Sequence, residues 1–190
     1  MTTDESRAAV LHGDTRINVA SLLQEPVGST REIGIELDTL HLDDELTARD
    51  VRAEARLTRL KDAILVAANV QAMVPLECAT CLAEFNQPVS ESFSEPFRQT
   101  VDVRTGATIP EAPNGADAER DDEPAFTIDE GHELDLAEAL RQWVVLAIPM
   151  QPSCGPDCPG PPPGATRDDE AIDDRFASLA GLLDDEEPGA

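Results

Sequence analysis

The sequence predicts an α+β protein: an antiparallel sheet or partly closed barrel with two to three short helices and disordered acidic segments. Three observations lead there. Apolar and polar residues alternate strictly in successive segments, other stretches show a helical period, and one insertion is too acidic and too rich in Pro, Gly and Ala to bury much. A chain of 190 residues suits one core rather than two. The expected division is a flexible N-terminal tail over 1–14, a single domain over 15–183 and an acidic C-terminal tail over 184–190.

The first ordered element is a small helix in DTRINVASLLQEPVG, with Asn18 as its cap and Ile17 and Leu22 spaced as a hydrophobic staple; Pro26 and Gly28 end it. REIGIELD follows with Ile33, Ile35 and Leu37 on one side and Glu32, Glu36 and Asp38 on the other, the period of a half-buried strand. DVRAEARLTR repeats this with Val51, Ala53, Ala55 and Leu57 inward. AILVAANVQAMVPL is apolar on both faces near its start, as a central strand would be.

Beyond it, Phe85, Val89, Phe93 and Phe97 recur every fourth residue, and Pro88, Pro96 and the intervening serines favour a strand over a helix. Residues 102–124 read as the disordered acidic insertion, after which AFTIDE predicts a short strand. LDLAEALRQWVVLAIP gives the clearest helix, capped by Asp135 with Glu138 placed for a capping box and Leu136, Leu140, Trp143, Val144 and Ala147 on one face. AIDDRFASLAGLL, with Ile172, Phe176, Leu179, Ala180 and Leu183, suggests a last helix.

The formal net charge is -25, and 22 of the 39 acidic residues but only 5 of the 14 basic ones lie beyond residue 100. Phosphate binding needs clustered Lys and Arg, and no such cluster stands out, so direct charge-driven RNA binding is not expected. Arg49, Arg52, Arg56 and Arg59, interleaved with acids, read as the solvated face of a strand. The start lacks a basic and apolar leader, and WVVLAIP is far short of the roughly 20 residues a membrane span needs. The expected location is cytoplasmic, with no membrane.

The four cysteines form two pairs, Cys78 and Cys81 in ECATC and Cys154 and Cys158 in SCGPDC. A reducing cytosol disfavours a structural disulfide. CxxC and CxxxC are both spacings that chelating loops use, and four thiolates suit a structural zinc, so one zinc on Cys78, Cys81, Cys154 and Cys158 is the cofactor these residues could hold. Free or partly buried thiols and reversible oxidation remain open beside it. Neither pair has the glycine directly after its second cysteine that turns backbone amides toward sulfur in many zinc knuckles.

No catalytic constellation stands out: His12, His41 and His132 lie in separate segments, and no GxSxG, HExxH or GxxxxGK[ST] occurs. GHELDL reads as a solvated turn. The acidic runs at 43–45, 121–123, 168–170 and 184–187 suit solubility or a basic partner. The expectation is a protein that is not an enzyme and takes no small-molecule substrate.

The order INVASLLQEPVGSTRE, ECATCLAEF with a Phe-rich strand, DLAEALRQWVVLAIPMQPSC and IDDRFASLAGLL resembles the YceD family of large-subunit ribosomal RNA accumulation proteins. The resemblance runs from about residue 15 to residue 183, the insertion excepted. It implies a non-catalytic ribosome-biogenesis factor acting through protein contacts, with a basic ribosomal protein or the pre-ribosomal large-subunit particle as partner. The alternative is a zinc-stabilised acidic adaptor in transcription or regulation. The chain departs from the family pattern in its tail, where Pro162 and Ala165 stand at positions of further cysteines and Asp173, Asp174 and Arg175 replace Asp-Pro-Arg.

Overall fold

A computed structural model describes residues 9–109 and 126–162. Its strands are β1 (Ala9–His12), β2 (Arg16–Asn18), β3 (Thr30–His41), β4 (Thr47–Arg59), β5 (Ala63–Glu77), β6 (Glu84–Gln99), β7 (Thr127–Ile128) and β8 (Glu133–Asp135). The helices among the described residues are α1 (Ala20–Gln24) and α2 (Ala137–Leu146). One curled sheet holds all the strands in the order β1-β3-β4-β5-β6-β7-β8-β2.

The long strands β3 to β6 form an antiparallel meander, and the alternation read from the sequence is the alternation of their burial. Ile33, Ile35 and Leu37 of β3, Val51, Ala53, Ala55 and Leu57 of β4, and Val89, Phe93 and Phe97 of β6 all turn inward. β5 is central, between β4 and β6. The sheet is nevertheless mixed rather than antiparallel, because β1 pairs with β3 and β7 with β6 in parallel. Short edge strands joined to distant partners leave no periodic signal long enough to reveal their direction.

Residues 9–12, expected within a flexible tail, form the edge strand β1 of the sheet. β1 pairs with β3 on one edge and β2 with β8 on the other, so residues 13–15 carry the chain between the two edges. Gly13 makes that passage with φ 71°, and its N–H donates to the Glu36 carbonyl at 2.9 Å. A register shift in β4 between Arg49 and Arg52 places Asp50 at φ 50° and adds local twist.

Helix α2 lies across the inner face, with Leu136, Ala139, Leu140 and Val144 fully buried and Trp143 stacked on Phe93, ring centroids 5.6 Å apart. Its N-cap is Leu136 rather than the expected Asp135, which stands one residue earlier and whose carboxylate accepts the Ala137 N–H at 2.9 Å and the Thr15 hydroxyl at 2.6 Å. Glu138 does not close a capping box: its carboxylate turns forward to Arg141 and Gln142 instead. Arg141 in turn donates to the Leu42 carbonyl at 3.0 Å, tying α2 to the β3–β4 turn. At α1 the N-cap is likewise one residue later than expected, Val19, while Asn18 before it accepts the Ala20 N–H at 3.1 Å.

Burial disfavours the Asp135 carboxylate, but the Thr15 hydroxyl, the Ala137 N–H and Arg16 together hold its pKa below the usual value. A depressed carboxylate stabilises the fold above its unfolded pKa and loses that contribution as pH falls through the folded value. Asp135→Ala is therefore expected to cost about 1 kcal/mol at neutral pH. The difference from wild type, followed by chemical denaturation, should shrink below pH 3.8.

Two further expectations change. Arg59 is not on a solvated face: its guanidinium donates to the Leu23 carbonyl at 3.2 Å, and to the Leu60 and Ala63 carbonyls, locking α1 against the β4–β5 turn. Arg49, Arg52 and Arg56 are exposed as expected. Residues 102–109 are an ordered turn, in which the Asp102 carboxylate accepts the Arg104 and Thr105 N–H groups and Val101 bridges Thr108. The remainder of the insertion, the acidic runs at 121–123, 168–170 and 184–187, the helix suggested near residues 172–183 and the C-terminal tail lie outside the described residues.

Candidate metal centre

The two cysteine pairs meet. β5 ends at Glu77, and residues 78–83 form the loop of the β5–β6 hairpin, closed by the Cys78 N–H on the Ala83 carbonyl and the Leu82 N–H on the Cys78 carbonyl, both 2.9 Å. The second pair lies on the loop after α2, where Pro149 and Pro152 exclude further helix. A backbone hydrogen bond from Ala79 N–H to the Pro152 carbonyl, 2.8 Å, joins the two loops directly.

The sulfurs of Cys78 and Cys158 are 3.8 Å apart and those of Cys81 and Cys154 are 3.7 Å apart, and all four lie within 4.8 Å of one another. A tetrahedron with Zn–S bonds of about 2.3 Å has sulfur–sulfur edges of about 3.8 Å. All four are free thiols. Cys78 is buried, Cys81 and Cys158 are half-buried, and Cys154 is exposed.

The position after the second cysteine of ECATC has a glycine-like backbone without a glycine. Leu82 takes the left-handed conformation itself, φ 61°, with its side chain 60% exposed. In the other loop Gly155 and Gly160 supply the positive φ. No side-chain property of leucine signals the first of these, so the sequence could not reveal it.

Electrostatics follow from this wrapping. The N–H groups of Cys81, Cys154 and Thr80 turn toward the Cys78 sulfur and lower its pKa to about 6. Cys154 moves the other way, to about 12, chiefly through the Cys81 sulfur and burial. At Cys158 the Gly160 N–H pulls downward, but burial and the Cys81 sulfur outweigh it and the pKa rises. One anionic sulfur among crowded thiols is the donor set that a soft divalent cation neutralises, and tetrahedral S₄ geometry selects zinc or iron–sulfur chemistry over magnesium or calcium. The residues thus fit a structural zinc.

In the metal-free protein, thiolate absorbance near 240 nm is expected to show one thiol ionising around pH 6, lost in Cys78→Ser. Because this pKa is depressed, its contribution to stability is complete above 9.0 and disappears as pH falls through about 6.

The histidines stand apart from this centre. His12 faces Glu36 at 3.2 Å and His41 meets the Thr47 hydroxyl at 3.2 Å. His132, expected on a solvated turn, is half-buried at φ 60°, with its Nδ1 buried and without a partner among the described residues. Among the described residues, no helix is long and apolar enough to cross a membrane.

A curled mixed sheet with one helix on its inner face, and two loops that converge four thiols beside a hairpin end, defines a small protein with a tetrathiol centre. The chain belongs to the YceD family: the family model described as "Large ribosomal RNA subunit accumulation protein YceD" matches residues 66–183. It is also 30% identical over 171 residues to an uncharacterized protein of Mycobacterium bovis and to uncharacterized proteins of two Mycobacterium tuberculosis strains. These alignments cover 85% of this chain and 73% of each relative. No solved structure matches the chain.

Proposed function

We propose that this protein is a non-catalytic factor that supports accumulation of large-subunit ribosomal RNA in the cytoplasm, acting through contacts with a basic ribosomal protein or the pre-ribosomal large-subunit particle. The observation that carries this reading is membership in a family described by that role. The charge of -25 agrees with a basic protein partner rather than bare phosphate. The cysteine centre has a structural part in this reading: one zinc held by Cys78, Cys81, Cys154 and Cys158 fixes the loop after α2 to the end of the β5–β6 hairpin.

Depletion of the protein is the test. Large-subunit RNA should fall relative to small-subunit RNA, and immature particles should accumulate in sedimentation profiles. Unchanged RNA and profiles would remove the proposal, and co-purification with polymerase subunits instead of ribosomal proteins would replace it with an adaptor role.

A further inference from the structure

We propose that a transverse groove on the outer face of the sheet is the docking site for an extended basic segment of a partner protein, with Glu54 receiving an arginine or lysine side chain. This rests on the reading of the partner as a basic protein and assigns that partner a surface. The groove, about 590 Å³, is lined by no residue of α2, and the buried residues Ile33, Ala55, Ala68 and Phe93 form its floor.

Strand register builds it. Val10, Gly34, Glu54, Asn69 and Ser92 are successive partners across β1, β3, β4, β5 and β6, and all five line the groove. Gly34 keeps this end open: a Cβ at this position would stand 3.2 Å from the Val10 side chain, closer than an ordinary contact, and as glycine it places no bulk beside Glu54. Ser92 donates its hydroxyl to the Asn69 amide oxygen at 2.6 Å, so the polar groups at the far end partly satisfy each other.

The charges in the groove are unequal in their commitments. Arg56 is held by Glu32, at 2.8 and 3.2 Å to the same carboxylate oxygen, and the two cancel. Glu54 is exposed and has no ion pair or hydrogen bond among the described residues. The charge left over is therefore one carboxylate, set in a trough whose other outward side chains, that pair apart, are Val10, Ala67, Asn69 and Ser92. Beside it, the outward positions of β5 from Leu65 to Pro75 and of β6 from Pro88 to Pro96 are all uncharged in a chain that is 28% charged. Arg52, the next outward residue of β4, is exposed but lies outside the groove, so an extended main chain running from Glu54 over β5 and β6 faces no like charge there and its cation meets an acceptor. A nucleic acid would meet Glu54 with its only groove cation already paired.

The test uses the full chain, ¹⁵N-labelled, titrated at about 0.15 M salt with a short synthetic peptide alternating arginine and serine. A second peptide carries citrulline for arginine, and a third probe is a short single-stranded RNA. The expected result is amide shifts at Gly34, Glu54, Asn69 and Ser92 with the arginine peptide alone. Glu54→Gln should weaken binding about fivefold, as a single exposed charge pair allows, while Glu130→Gln on the exposed β7–β8 turn leaves it unchanged. Glu54 is exposed, so an unaltered melting temperature shows that the variant is folded.

Equal affinity of Glu54→Gln and Glu130→Gln, shifts confined to residues outside the row, equal binding of the citrulline peptide, or RNA in the groove would each overturn the proposal. Failure here is separable from failure of the function. If depletion leaves large-subunit RNA unchanged while the peptide maps to the groove, the functional reading falls and the site stands; the reverse pattern removes the site alone.

Discussion

Chelation of the purified protein should release one zinc and lower its melting temperature by about 8–16 °C. The arithmetic is mass action: a ligand present at about a thousand times its dissociation constant, bound only by the folded state, adds about 4 kcal/mol. In a domain of this size each kcal/mol moves the midpoint by about 2–4 °C. The sheet core does not depend on the centre, because the buried side chains of β3 to β6 and α2 pack among themselves. Metal removal should therefore leave the far-ultraviolet spectrum intact while the loop after α2 gains hydrogen exchange.

Cys78→Ser should reproduce that loss without chelator, since Cys78 is the buried ligand and the sulfur toward which three backbone N–H groups turn. Cys154→Ser removes an exposed sulfur and should lower affinity with less effect on the metal-free fold. Thermal denaturation with and without chelator measures both. Equal midpoints under the two conditions would show that the centre does not stabilise the domain.

Phe97→Ala should cost roughly 3–5 kcal/mol, the usual range for emptying a buried aromatic site. Phe97 is 1% exposed and stacks on Phe126 with ring centroids 5.0 Å apart. Phe126 opens the segment that returns from the insertion, and its carbonyl accepts the Arg98 N–H at 2.8 Å. The cavity thus undermines β7, β8 and the start of α2, whose far end carries the loop of Cys154 and Cys158. Against a typical total of about 5–15 kcal/mol, this is a large fraction. Urea denaturation should show the midpoint falling with the slope preserved. A loss under about 1 kcal/mol would mean that the site collapses and that the aromatic stack holds little.

The parts of this fold legible in the sequence are those where one strand carries its own signal. β3 and β4 announce themselves because one face of each is buried, and a period of two survives over the length of each strand. β6 was legible through Phe93 and Phe97 once its prolines had spoken against a helix. Asp135 and Asn18 were legible as residues that hold a helix start, each accepting an N–H two residues on, but each stands one residue before the N-cap itself. Glu138 misled: from sequence, a carboxylate placed to reach back looks like one that reaches forward to Arg141.

What stayed hidden is non-local. β1 and β2 are too short for a period, and their place at opposite edges depends on the whole sheet curling. Arg59 looks like its neighbours in sequence but ends a strand beside α1, where carbonyls await it. For the cysteines, spacing gave the two halves and nothing more. Bringing Cys81 to Cys154 across 73 residues requires the β5–β6 hairpin and the end of α2 to share one side of the domain. The groove row from Val10 to Ser92 likewise exists only through register.

The shared centre is tested most directly by the native mass of the full chain, taken with and without chelator and repeated on two variants, Cys78→Ser/Cys81→Ser and Cys154→Ser/Cys158→Ser. One zinc per chain, lost on chelation and absent from both variants, is the predicted result. An unshifted mass, or a variant that keeps its zinc with either pair removed, would contradict a single site built from both loops.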